Sequence, residues 1–137
     1  MPSRSADVSM LPSDVCKTMN CRKEYPDLNI KGRTQYTAKI GYYPSVYLVY
    51  KGVPAGHPDE NALKIALSLL SNSSNTGALN KLIIDGELTS GYAATLTFRE
   101  QGRNIVQVTP LYDENQRRFE SNKSAEKKAL KAIEKIA

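Results

Sequence analysis

The sequence predicts an α+β domain, a mostly antiparallel sheet with helices packed on one face. Three observations carry the prediction. Apolar residues alternate with a period of two around 34–40, and runs around 46–51, 87–100 and 105–110 are rich in Val, Ile, Leu, Thr and Tyr. Apolar residues recur at helical spacing in 63–70, 79–83 and 129–136. The two kinds of run come in blocks, in the order β-β-α-α-β-β-α, with no internal repeat and no low-complexity tract.

The chain has 137 residues, 40% hydrophobic and 24% charged, which suits one domain with a modest core. Residues 1–31 hold three prolines and no sustained periodicity, and read as a flexible leader or linker. The opening MPSRSADVSMLPSD has no apolar core of a secretory signal, and no run approaches the roughly 18 apolar residues of a membrane span. Cys16 and Cys21 stand five apart in this leader. Free thiols, a small disulfide loop or half of a metal knuckle all suit that spacing, although a structural zinc site lacks further ligands in a chain with one histidine.

The domain proper spans 32–137. Tyr36, Ala38 and Ile40 alternate with polar neighbours as a strand, and Gly41 to Pro44 make a turn. The next strand, VYLVYK, is apolar on both sides and is expected at the centre of its sheet. A helix is expected to begin at His57-Pro58-Asp59-Glu60-Asn61. Pro58 suits a first helical position, and two acids meet the positive end of the helix dipole. Only Lys64, Ser68 and Ser71 form a polar stripe, so this helix should be buried around most of its circumference, with Leu67 and Leu70 toward the sheet.

SNSSNTG then breaks the chain, and a short helix carries Leu79, Leu82 and Ile83 as far as the Asp85-Gly86 turn. Residues 87–100 read as a long strand, EQGRN as a hairpin turn, and Ile105, Val106 and Val108 as the return, stopping near Pro110. After a polar stretch over 112–123, Ser124 can cap a last helix with Ala129, Leu130, Ile133 and Ile136 on one face.

Candidate chemistry is sparse. HPDEN is one substitution, Asn61→His, away from H-x-x-E-H, the helical zinc motif with a general-base glutamate. Zinc needs three or four protein ligands, and Asn61 is a poor substitute for imidazole. A helix start explains the stretch without metal. The glycines form no phosphate-binding pattern. Tyr42, Tyr43, Tyr47 and Tyr50 cluster around one hairpin; they suit a substrate-facing wall, although such a cluster is more often half-buried sheet surface.

The formal charge of +5 is compatible with an anionic partner without implying one. The final SNKSAEKKALKAIEKIA carries Lys123, Lys127, Lys128, Lys131 and Lys135. It looks like the closing helix of a double-stranded-RNA-binding domain, which would make the protein a small basic RNA-binding module. Glu126 and Glu134 interleave with the lysines, however, and a solvated mixed-charge face explains the segment without nucleic acid.

The block from Val46 to Pro110 resembles a domain of the insulinase, pitrilysin and processing-peptidase family of metallopeptidases. The resemblance covers about half the chain. It rests on an ordered set: an apolar strand, HPDENAL, a Leu-rich helix, SNTGAL, a short helix, then SGYAATLTF and NIVQVTP. Such proteins repeat a homologous domain, one copy carrying H-x-x-E-H and a distal Glu, the others degenerate and helping to enclose a peptide chamber. Degenerate copies usually read D-x-x-A-L, and this chain has Asp59-Glu60-Asn61-Ala62-Leu63. His57 and Glu60 match two motif positions, Asn61 departs at the third, and no distal ligand is assignable.

The resemblance therefore implies a non-catalytic, substrate-enclosing domain, with no catalytic or metal residues of its own. It also implies zinc in the parent enzyme, and the parent's other domains and peptide substrate as partners. It leaves the compartment open, with the periplasm and cell envelope among the locations allowed.

Overall fold

The structure, a computed structural model, describes residues 31–41 and 43–136. The leader up to residue 30, with Cys16 and Cys21, lies outside the described residues, as does Tyr42. From Thr37 onward the chain forms one unit. Its order is β1 (Val46–Gly52), α1 (Glu60–Leu70), α2 (Ala78–Ile84), β2 (Leu88–Thr97), β3 (Gly102–Pro110), β4 (Tyr112–Asp113), β5 (Arg118–Phe119) and α3 (Asn122–Glu134). β1, β3 and β2 lie side by side in that order, all antiparallel, and β4 and β5 form a separate two-stranded ladder. The α+β class is as the sequence predicts.

Register decides which side chains meet. Val46, Val108 and Gly91 stand in one cross-strand row, and Leu48, Val106 and Ala93 in the next. These rows form the face on which the helices pack, α1 and α2 against β2 and α3 against β3. Leu70, Leu79, Leu88 and the alanines 125, 129 and 132 complete the buried cluster. Each aliphatic side chain as large as valine or leucine contributes about 1.5–3 kcal/mol when fully withdrawn from water.

The local signals explain how α2 and α3 end and begin. At the end of α2, Gly86 takes φ +70°, its N–H donates to Ile83 O, and the N–H of Glu87 donates to Leu82 O. This paired closure satisfies carbonyls that would otherwise have no partner. α3 begins one turn earlier than expected, because Ser121 is the cap: its Oγ accepts from the N–H of Ser124 at 3.2 Å. The side chain of Ser124 donates instead to Glu120 at 3.1 Å. α3 meets the sheet mainly through Ala125, Ala129 and Ala132, small residues that let helix and strand approach closely, while Leu130 is only half-buried.

Four expectations are overturned. Residues 34–40 form no strand, and Tyr36 and Ile40 are 90% and 83% exposed. An alternating pattern gains nothing without a hydrogen-bonded neighbour, and β1 pairs only with β3 among the described residues. β1 is consequently an edge strand, and the central place belongs to β3. α1 is not buried all round: Leu70 is its one buried residue, Leu63 and Leu67 are half-buried, and Ile65 and Leu69 are exposed. Among the described residues the helices form a single layer, and none of these residues covers the outer side of α1. Finally, the polar stretch 112–123 contains the β4–β5 hairpin. There Asp113 Oδ1 accepts from the N–H groups of Asn115 and Gln116, and the rings of Tyr112 and Phe119 meet edge-on at 5.0 Å between centroids.

Candidate functional site

HPDEN is a helix start. The loop after β1 turns at Gly56, and the N–H of Glu60 donates to His57 O at 3.0 Å. The N–H of Leu63 donates to Asp59 O at 3.0 Å, so Asp59 is the cap, Glu60 the first helical residue, and Pro58 lies in the turn ahead of the helix rather than at its first position. His57 also precedes the helix, and its Nδ1 accepts from the N–H of Asp59 at 3.1 Å. It therefore shares no helical row with Asn61.

Glu60 is held by three donors. Lys64 Nζ reaches Oε1 at 2.7 Å, the N–H of Gly56 reaches Oε2 at 2.7 Å, and Thr97 Oγ1 reaches Oε1 at 3.2 Å. The carboxylate thus ties the loop, the first turn of α1 and the end of β2 together. The Lys64 hydrogen bond foremost, then that from Gly56, lowers its pKa from 4.5 to about 2. Because the folded value lies below the ordinary one, its stabilising effect is complete above about pH 4.5 and fades as pH falls toward 2. In urea melts at about pH 7 and about pH 3, wild type should lose more stability between the two than Glu60→Gln does. Equal losses would show that Glu60 does not hold the loop.

The described tyrosines of the cluster, Tyr43, Tyr47 and Tyr50, do not share one surface. Tyr43 is 74% exposed and meets Phe119 edge-on. Tyr47 and Tyr50 differ by an odd number of residues on β1, so they point to opposite faces of the sheet. Tyr50 shares the helix-covered side with Asn104 and Thr95. Tyr47 lies on the open face, in a row with Gln107 and Tyr92; the next row is Val49, Ile105 and Ala94, and the third Lys51, Arg103 and Leu96. Tyr47, Val49 and Tyr92 are 59%, 60% and 45% exposed, so this face is apolar and uncovered among the described residues. Arg103 lies over the Phe98 ring at 5.5 Å. The signal for this surface was legible in β2, where Tyr92, Ala94 and Leu96 alternate with the smaller Gly91, Ala93 and Thr95.

The C-terminal lysines divide. Lys128 Nζ is spent within the fold, donating to Glu87 O at 2.9 Å and Glu120 Oε2 at 3.0 Å. Lys127, Lys131 and Lys135 follow one another at intervals of four along α3 and its cap, and all are exposed. Among the described residues, no group of three or more His, Cys, Asp or Glu comes together in a way that could hold a metal ion. No helix among them is long and apolar enough to cross a membrane.

Fold and surface together define an α+β domain whose three-stranded antiparallel sheet is covered by helices on one side and, among the described residues, open on the other. No protein-family model matches the chain, and no curated protein matches it.

Proposed function

We propose that this chain is a non-catalytic, substrate-enclosing domain of a larger zinc peptidase of the insulinase, pitrilysin and processing-peptidase type. Glu60 carries the reading. It stands where the family's general base would stand, yet its carboxylate is committed to Lys64, Gly56 and Thr97 as the anchor of a helix start. His57 ahead of the helix and an amide at Asn61 do not make a zinc pair, so the residues present do not fit the metal. The open sheet face with Tyr47, Tyr92 and Ile105 supports the enclosing role, since large uncovered apolar surfaces serve contacts with other chains or domains. Zinc belongs to another domain of the parent, and that domain and the peptide substrate are the partners.

Asn61→His tests the reading. Peptide hydrolysis should be absent from both wild type and variant, and elemental analysis after dialysis should find no stoichiometric zinc in the wild type. The variant still lacks a third ligand and a paired helical register. Hydrolysis by the variant that a chelator abolishes and Glu60→Gln removes would overturn it. The parent reading frame gives a second check: a homologous H-x-x-E-H domain should occur in it or in a co-purifying subunit, and the absence of both would count against the assignment.

A further inference from the structure

We infer that the groove between α2 and α3 docks an acidic amphipathic segment of a polypeptide. The groove encloses about 730 Å³, within the roughly 300–1,000 Å³ of clefts that take ligands. Its apolar lining is Leu69, Ala78, Leu82, Ala132 and Ile136. Lys81 on α2 stands on one side, with Lys127, Lys131 and Lys135 on the α3 side. These four cations are exposed, and none forms a salt bridge among the described residues.

The groove takes lysines of α3 and leaves out its glutamates. At about 100° per residue, Lys127, Lys131 and Lys135 span about 80° of α3, with Glu126 about 100° away from Lys127 and Glu134 about 20° beyond it, at the edge of the lysine sector. Neither glutamate lines the groove; the carboxylates that do are Asp85 and Glu87, against five lysines including the engaged Lys128. A row of cations in excess over carboxylates therefore borders an apolar floor. From Lys127 to Lys135 the rise is about 12 Å, and carboxylates one turn apart on a helical partner repeat every 6 Å or so along the same line.

The floor decides between partners. Phosphates of an RNA duplex gain nothing from Leu69, Leu82 and Ile136, and a duplex is read on ridges that straddle its grooves. Apolar side chains of a peptide gain burial there, with flanking acids meeting the lysines. The apolar surface also continues out of the groove: Ile65 stands one turn before Leu69 on α1, and the two are 63% and 54% exposed. This inference does not depend on the peptidase reading.

The test uses the full chain and a labelled helical peptide of about 18 residues, with Leu on one face and Glu on its flanks. Comparison probes are the same peptide with Lys for Glu, duplex RNA of about 16 base pairs, and anionic phospholipid vesicles. The acidic peptide should bind, and more weakly as salt rises. The double variant Lys131→Glu, Lys135→Glu should weaken it at least about tenfold and gain affinity for the lysine peptide, with unchanged circular dichroism. Leu69→Asp, at an exposed position, should also weaken it. Binding that ignores the charge reversal, no binding at about 100 μM, or tighter binding of RNA or vesicles than of the acidic peptide would each overturn the proposal.

Discussion

Shortening Leu79 to alanine is expected to cost about 2–5 kcal/mol, a large share of the 5–15 kcal/mol that holds a domain folded. Leu79 is fully buried and packs in one cluster with Leu70, Leu88, Val106 and Val108. It sits above Gly91, where an added Cβ would lie 3.7 Å from that of Leu79, so α2 rests directly on β2. Sheet and helix backbones flank the side chain, and the cavity left by truncation cannot collapse easily. The matched control is Leu69→Ala on the exposed side of α1, expected to change stability by less than about 0.5 kcal/mol. Urea melts should show a lower midpoint for Leu79→Ala with an unchanged slope. Similar small losses for both variants would mean that the core is centred elsewhere.

Gly77→Ala should cost about 1–3 kcal/mol by overpacking. The cause is steric, because Gly77 has an ordinary extended backbone, φ −66° and ψ 160°. A methyl group there would run into the backbone carbonyl of Leu70 and would lie 2.6 Å from Asn80 Oδ1. Neither neighbour yields readily. Leu70 is locked in the core, and Asn80 Oδ1 accepts from the N–H of Asn72 at 3.0 Å while its Nδ2 donates to Asn75 Oδ1 at 3.3 Å. Turning Asn80 away would leave the N–H of Asn72 without this acceptor. Gly86→Ala is the instructive contrast: nothing lies within 4 Å of the added Cβ, so its cost, about 1 kcal/mol, comes from the positive φ alone. A Gly77→Ala protein as stable as wild type would show that α1 and α2 do not approach as closely as described.

Both effects arise where SNSSNTG joins two helices, a stretch that composition marks only as a polar break. Its ends were legible, since Gly and Asn cluster there and apolar periodicity stops. What the stretch does was not. Asn72, Asn75 and Asn80 form a hydrogen-bonded clamp across the α1–α2 turn, and such a network depends on side chains meeting in space. The same holds at HPDEN. The helix start could be read from Pro58 and the acids, but the contact from Glu60 to Thr97, 37 residues away, exists only after β2 is in place.

By itself the sequence determined what depends on neighbours along the chain. It set the α+β class, α1 and α2, the β2–β3 hairpin, the stop at Pro110 and the Asp85-Gly86 closure. Each follows from periodicity or from the φ preference of one residue. Tertiary structure decided what depends on which surfaces find partners. A run such as VYLVYK is apolar on both sides whether it lies at the centre of a sheet or at an edge with one face open, and only the pairing with β3 placed it at the edge. Likewise Tyr36 and Ile40 alternate correctly for a strand but join no ladder among the described residues. The lysines and glutamates of α3 mix in sequence, and the rotation of the helix against β3 turns one group of lysines toward α2. Apolar pattern prescribes a face to be covered; whether anything covers it is settled by the packing of segments far apart in the chain.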